Sequence, residues 1–479
     1  MQSNGQSNGQ SKSGQVFTVT LIAALGGLLF GYDTAVISGA VNALDVNFVQ
    51  PRGLDANASA SLLGFTVSSA LIGTIVGALT AGLIAAAIGR RATMAIAGVL
   101  FAISGVGSAY PELGLAPIGG MGPDALTPFN IYRIIGGLGI GLASVVCPMY
   151  IAEIAPRHLR GRLVSLNQFA IVTGIFGVYF VNYGIASLGD EAFVVTTGWR
   201  WMLLSEVVFA TAFLALLFLV PESPRWLMSK SREAEARTVL ARFNAPDAAA
   251  AVLDEIRQSL SGAATAPLFA FGALVIFIGV MLSVFQQFVG INAVLYYAPA
   301  IFESMGASKN SAFLQTVIVG GVNFIFTLVA YVTVDRYGRK PLLLWGAVIM
   351  GGSMLTLGTL FFTEQGGVAA LFAMLIYVAG FALSWGPVVW VLLSEIFPNS
   401  IRNAALSIAV AAQWISNFIV SWSFSVMNGN PWLADTFNNG FAYWFYGVMS
   451  LLAAAFVWRF IPETKQKSLE ELERLWVKA

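Results

Sequence analysis

Residues 17–44 read FTVTLIAALGGLLFGYDTAVISGAVNAL. The run is longer than the roughly 20 apolar residues a helix needs to cross a bilayer. Asp33 is the only charged residue between Lys12 and Asp45. A carboxylate at that depth is costly and rare, and marks a functional site by default: a proton or cation site, or a substrate contact. The plainer alternative is a structural acid satisfied by neighbouring helices.

The rest of the chain repeats this composition. Of 479 residues, 57% are hydrophobic and 10% charged, against about 25% charged in a soluble domain. The fold class expected is an all-α polytopic membrane protein. A transmembrane β-barrel is excluded because the apolar segments are continuous rather than alternating in strands of about ten residues. A net charge of +1 gives no reason to expect nucleic acid or an acidic partner. The single cysteine, Cys147, lies in an apolar run, so no disulfide within the chain and no CxxC metal pattern can form. The lone His158 sits in a basic loop and reads as solvated or phosphate-facing rather than as a ligand. No metal site and no cofactor are expected. The polar start MQSNGQSNGQSKSG reads as a disordered tail. With no short cleavable signal ahead of it, the first span itself should direct insertion.

Charged punctuation divides the chain into twelve spans, near 17–40, 60–85, 92–110, 129–151, 164–186, 199–220, 268–297, 312–333, 341–362, 368–393, 404–427 and 440–461. One set of loops holds Arg90, Arg91, Arg157, Arg160, Arg162, Arg336, Arg339, Lys340 and Arg402, while the other holds little beyond Arg52 and Lys309. The excess of basic residues puts both termini and the middle loop in the cytoplasm. Three landmarks recur in order: GRR at Gly89 returns as GRK at Gly338, EIAP at Glu153 as EIFP at Glu395, and PESP at Pro221 as PETK at Pro462. The offsets of 249, 242 and 241 residues indicate two six-helix halves of like topology, with a substrate site near the midplane between them. The expected domains are a tail (1–15), a first bundle (16–221), cytoplasmic linker helices (222–266), a second bundle (267–462) and a C-terminal surface helix (463–479).

GLLFGYDTAVISGA, YRIIGGLGIGLAS, PMYIAEIAP, PESPRWL, QQFVGIN, VDRYGRK, WGPVVWVLLSEIFP and PETK together resemble the sugar porter family of the major facilitator superfamily, over residues 15–477. Within that family the likeness is strongest to bacterial D-xylose–proton symporters. The resemblance implies twelve helices in two pseudo-symmetric halves that move by alternating access, in a bacterial inner membrane. The partners implied are a monosaccharide, a proton and the bilayer, with a monomeric transporter.

Helix geometry places Asp33 and Arg133 at similar depth, roughly 8–12 Å below the outer surface at about 1.5 Å per residue, so they can form an ion pair. A buried carboxylate beside an arginine holds its proton weakly, and more tightly once that partner moves away. The resemblance adds that the first-helix acid is the protonation site in proton-coupled members, and that uncoupled members commonly carry Asn there. Glu206 is a second intramembrane acid, open between a coupling role and a structural one.

A sugar is uncharged and its hydroxyls both donate and accept. Amides match that property, and aromatic faces suit the C–H surface of the ring. The candidates are Gln168, Gln286, Gln287, Asn292, Asn323 and Gln413, with Trp390 and Trp414 as walls. Each resembles a sugar-contacting position of the family; taken singly, each amide is also read as interhelical glue. Gln286, Gln287 and Asn292 would not share a face of an ideal helix, and a break at Gly290, which the resemblance implies, would bring them together. Gly386–Pro387 should interrupt the tenth helix and allow it to bend. Tyr296 and Tyr297 are read equally as gate residues or as packing.

Arg90, Arg91, Glu153, Arg160, Glu222 and Arg225, with Asp335, Arg339, Glu395, Arg402 and Glu463, are expected to form an ion-pair lock that holds the inner side shut. The chain departs from the family pattern at Ala86 and Ala87, where Asp-Arg is usual, and at Asn403 and Gln466. The missing pair leads us to expect a bias towards the inward-open state. The function expected is proton-coupled import of a monosaccharide, most of all D-xylose, with a passive facilitator as the alternative. An enzyme is not expected, since no metal cluster, nucleophile–His pair or phosphate loop is present. A sugar sensor is disfavoured because the middle loop and tail leave no room for a signalling domain.

Overall fold

The computed structural model describes residues 3–156, 159–243, 246–261, 267–398, 400–465 and 471. Where no water can pair with the backbone, a chain this apolar must satisfy its own amides, and helices are the local solution. Twelve helices are long and apolar enough to span a membrane: α1 (Gly14–Gly39), α2 (Ala56–Ile88), α3 (Arg90–Ala109), α4 (Gly122–Ile154), α5 (Arg160–Ala186), α6 (Glu191–Leu217), α7 (Ala273–Ser304), α8 (Lys309–Tyr337), α9 (Arg339–Phe362), α10 (Val368–Ile396), α11 (Ala404–Gly429) and α12 (Phe441–Phe460). No strand occurs among the described residues.

Helices α1–α6 pack into one half and α7–α12 into the other. The halves meet along α2 with α11 and along α5 with α8, two seams related by the pseudo-symmetry. Within a half, glycine sets the spacing. A Cβ on Gly137 of α4 would run into the carbonyl of Ala70 and stand 3.0 Å from the amide nitrogen of Thr74 on α2. Gly31 of α1 lies against the Ile171 carbonyl of α5, and Gly174 of α5 against that of Leu28. Lipid offers apolar side chains no drive to associate, so close backbone approach of this kind holds membrane helices together.

Two helices are broken. In α7 the first segment ends at Val289, Gly290 takes φ +95°, and the second starts at Ile291. The ring of Tyr446 lies 2.6 Å from where a Cβ on Gly290 would sit, so only glycine satisfies both the backbone and the space. In α10 the break falls at Ser384 (φ −132°, ψ −85°), and the helix restarts at Trp385. The expected interruption at Gly386–Pro387 therefore lies two to three residues too late. Pro387 sits in the first turn of the second segment, where its missing N–H has no intrahelical partner to lose.

Between the halves, Pro224–Ser229, Glu233–Phe243 and Pro246–Ser261 form three short helices. They share a small core of Trp226, Leu227, Ala236, Leu240, Ala249 and Leu253. The start assigned from composition to a disordered tail is instead helical from Ser3 onward, because extending an existing helix is far easier than nucleating one. The surface helix expected over 463–479 falls mostly outside the described residues, as do His158 and Gln466. Glu463–Lys465 are not helical.

Replacing Gly137 with Val should lower the melting temperature and the yield of monodisperse protein, since overpacking of this kind costs about 1–3 kcal/mol or more. Gly82→Ala, where nothing lies within 4 Å, should leave both within experimental error of the parent or slightly raised. Size-exclusion profiles and thermal melts of the two variants check this.

Candidate functional site

Asp33 and Arg133 meet in the interior of the first half. Both are essentially inaccessible, at 0% and 1% exposure. Arg133 Nη1 donates to Asp33 Oδ1, and Nη2 donates to the Asp33 backbone carbonyl at 3.1 Å. The ion pair expected from helix depth is thus formed. Asp33 Oδ2 receives no donor, and neither does Oε1 of the buried Glu206. The Glu206 carboxyl faces that of Asp33 within hydrogen-bonding reach. Two carboxyls share a dry site with one guanidinium, so the cluster is electrically balanced only when one carboxyl carries a proton.

The break at Gly290 assembles the amides of α7. Gln287 Nε2 donates to Gln286 Oε1 at 3.1 Å, and Asn292 Nδ2 donates to Gln287 Oε1 at 2.5 Å. Gln286 Nε2 in turn donates to the carbonyls of Trp385 and Gly386 at 3.1 and 3.3 Å, at the break in α10. The two interrupted helices are therefore joined by their irregular segments. Gln413 Oε1 and Trp414 Nε1 of α11 are buried with no partner. The Trp414 ring lies 5.6 Å from Phe30, which stands in the opposite half, three residues before Asp33 on α1. Gln168 and Trp390 are half-buried and Asn323 is buried. Among the described residues, none of these three hydrogen-bonds to the amide chain. The tyrosines separate in role. Tyr297 donates to the Ser421 carbonyl of its own half at 3.2 Å and packs on Phe424. Tyr296 accepts from Asn417 at 3.5 Å and faces Arg133 and Asp33 across the interface.

The repeated basic motifs fold into two copies of one arrangement. Arg90 grips Glu153 through Nε and Nη2 at 2.9 and 2.8 Å, while Glu222 accepts the backbone N–H groups of Arg90 and Arg91 at the start of α3. Arg339 likewise grips Glu395, and Glu463 accepts the backbone N–H groups of Arg339 and Lys340 at the start of α9. A carboxylate suits a helix N-terminus, where backbone N–H groups have no partner and the dipole is positive. Ser223 and Thr464, the hydroxyl residues of PES and PET, complete each copy by donating to Glu153 and Glu395. Both were overlooked in the sequence although the repeat displays them.

These networks correct the expected lock. Each one ties helices of its own half, because Glu153 ends the α4 that packs against α3, and Glu395 the α10 that packs against α9. Neither network bridges the two halves. Arg160 and Arg225 are exposed and make no ion pair among the described residues. Arg402 donates to the Phe397 carbonyl at 3.2 Å. The departure at Ala86 and Ala87 is visible as an asymmetry. Arg339 has a second carboxylate, Asp335, at 3.0 Å, whereas Arg90 has only the Ala85 carbonyl at 3.1 Å.

The halves are joined instead on the side away from the linker. Ser425 donates to the Ala60 carbonyl at 2.8 Å, Trp422 to the Ser61 carbonyl at 3.2 Å, and Asn430 to Asn57 at 2.9 Å. Tyr179 donates to the Leu295 carbonyl at 2.8 Å. One ion pair crosses there, Lys309 to Glu191 at 2.7 Å. On the linker side Tyr331 donates to the Ser165 carbonyl at 3.3 Å. A groove of about 450 Å³, lined by Ala58, Ser61, Leu62, Phe65, Phe418 and Trp422, follows the α2–α11 seam and holds none of the amides. Also on the far side, Arg200 forks onto Glu112 and stacks over Trp199, 4.6 Å from the guanidinium to the ring. Burial pushes the Glu112 carboxyl up, but the hydrogen bonds from Arg200 and from the 112 and 119 amides hold it below the usual carboxylate range.

Comparison with known proteins matches residues 19–476 to the sugar (and other) transporter family. The D-xylose–proton symporter of Escherichia coli K12 is 56% identical over 98% of this chain and 97% of its own length. The glucose facilitated diffusion protein of Zymomonas mobilis is 45% identical, covering 98% of each. Among solved structures, the E. coli xylose transporter XylE in an inward-open conformation superposes with a TM-score of 0.87 at 54% identity, over 96% of this chain and all of that one. In a partially occluded inward-open conformation its TM-score is 0.85 at 52% identity, over 94% of this chain and all of that one. The chain belongs to the sugar transporter family of the major facilitator fold.

Proposed function

We propose that this protein imports a monosaccharide, D-xylose before others, in symport with a proton by alternating access. The observation that carries this reading is the buried cluster of Asp33, Arg133 and Glu206, which has room for one exchangeable proton and stands beside Phe30 and Trp414 at the interface between the halves. The basic residues cluster on the linker side, which supports a cytoplasmic location for that side and for both termini in a bacterial inner membrane. The domain limits follow: bundles at 16–221 and 267–462 about the linker at 222–266, working as a monomer.

The mechanism follows from the groups present. The Gln286–Gln287–Asn292 chain, with Gln168, Asn323 and Gln413, offers donors and acceptors to sugar hydroxyls, and Trp390 and Trp414 offer ring faces. Asp33 holds its proton while Arg133 is turned away and releases it when the ion pair re-forms. A proton entering down about 100 mV supplies about 2.3 kcal/mol, and one pH unit about 1.4 kcal/mol. Together they sustain a sugar gradient of roughly 500-fold, so one carboxylate suffices. The 45%-identical facilitator makes passive transport the reading to be tested against.

Reconstituted vesicles with an imposed proton gradient provide the first test. The wild-type protein should accumulate xylose and alkalinise the outer medium as sugar enters. Asp33→Asn, which keeps an oxygen for Arg133, should lose accumulation yet still exchange labelled for unlabelled sugar. Accumulation by that variant would refute the role of Asp33. For the sugar site, Gln287→Ala breaks the amide chain and should weaken xylose binding about tenfold or more in calorimetry, as expected for buried polar groups left unpaired. Equal affinity would remove Gln287 from the site. Ala86→Asp combined with Ala87→Arg restores the second carboxylate beside Arg90. Because the Arg90 network ties helices of one half only, the double substitution should raise the melting temperature slightly and leave the inward-open fraction measured by accessibility labelling unchanged; a reduced fraction would instead support the bias expected from the sequence.

A further inference from the structure

Arg133 satisfies only half of Asp33. Its two donated bonds go to Oδ1 and to the backbone carbonyl, leaving Oδ2 without a donor. Besides α6 with Glu206, α3 also approaches Oδ2, and the residue it presents there is Ser104. The Ser104 hydroxyl is fully buried and has no partner. Such groups are rare in folded proteins and call for an explanation. Asp33 Oδ2 and Ser104 Oγ converge on one point, the bare Cα face of Gly136 on α4. A Cβ there would run into Ser104 Oγ and would stand 3.0 Å from Asp33 Oδ2. Glycine at 136 thus keeps clear the space through which the hydroxyl addresses the free carboxylate oxygen.

We infer that Ser104 is a positioning residue for proton coupling, reaching Asp33 Oδ2 across the face of Gly136 by a small side-chain rotation or through one water molecule. The inference rests on the assignment of Asp33 as the protonation site. A hydroxyl suits both states of an acid: it donates to the carboxylate and accepts from the protonated form. Its contribution is not neutral between them, because hydrogen bonds to charged groups are the stronger ones. Ser104 therefore stabilises the carboxylate more than the protonated acid. The other groups that face the acid are Arg133 on α4, Glu206 on α6 and Tyr296 on α7. The spans of α3 and α5 bring no charged side chain to it, since residues 92–109 and 163–186 contain none.

The test is the pH profile of proton-driven xylose uptake in vesicles, recorded for the wild type, Ser104→Ala, Ser104→Cys, Ser104→Thr and Ser108→Ala. Removing the donor should move the midpoint to higher pH by roughly one unit, from the strength of a hydrogen bond to a charged group. Ser104→Cys, with a weak donor of similar size, should move it the same way if the alanine variant folds poorly. Ser104→Thr keeps the hydroxyl and should restore the wild-type midpoint. Ser108 is also buried and unpartnered, but it stands one helical turn away. An unmoved midpoint in both Ser104→Ala and Ser104→Cys, or an equal shift in Ser108→Ala, would overturn the inference. The outcome is separable from the assignment beneath it. If wild-type uptake ignores the proton gradient, or Asp33→Asn still accumulates sugar, that assignment fails. If both controls behave and only the Ser104 series is flat, Ser104 alone is misassigned.

Discussion

A charge at bilayer depth must find a partner inside the protein, and the organisation of this chain follows from how it meets that demand. Asp33 cannot be solvated by lipid. It is held by Arg133, the surrounding helices enclose the pair, and their close packing is what keeps water out. The same exclusion makes the pair responsive. In a dry site, a small displacement of Arg133 changes the electrostatic energy of Asp33 far more than it would in water, so a rocking motion of the halves can be converted into capture or release of a proton.

The two broken helices obey a related rule. Irregular backbone is tolerated at membrane depth only where protein or a cavity covers it. The breaks at Gly290 and Ser384 are covered by each other: Gln286 from one reaches the carbonyls exposed at the other. The polar atoms set free by these interruptions are thereby gathered at one place in the second half, with Trp414 reaching towards the acid site in the first. The acid pair and the amide chain lie on opposite sides of one interface, which is the arrangement that the proposed coupling by relative motion requires.

Much of this was legible in the sequence because hydrophobicity writes itself in long runs. Twelve spans, two repeats and the Asp33–Arg133 pair follow from residue type and spacing, and the kink at Gly290 from the family resemblance. Position along the chain reveals less about which groups oppose one another. The basic motifs were read as a lock between halves, yet Arg90 and Arg339 each turn to a carboxylate at the end of a helix already packed beside them. The break in α10 fell at Ser384 because a proline is accommodated in a first helical turn, a preference that composition alone places only to within a few residues. Ser104 and Glu112 escaped attention for opposite reasons. A serine in an apolar span looks like ordinary small-residue packing, and a glutamate in a loop looks solvated until Arg200 is seen to cover it.

The seam on the side away from the linker is stitched chiefly by neutral bonds from Ser425, Trp422, Asn430 and Tyr179, and three of these end on main-chain carbonyls. Each such bond is worth about 1 kcal/mol net, and carbonyls are oriented by their own helices whether or not a partner is present. A closure built this way behaves like a zipper rather than a weld. It can part tooth by tooth, and it re-engages in register because the helix, not the side chain, holds the receiving half of three of the four teeth. Reversibility over many cycles is thus built into the choice of acceptor.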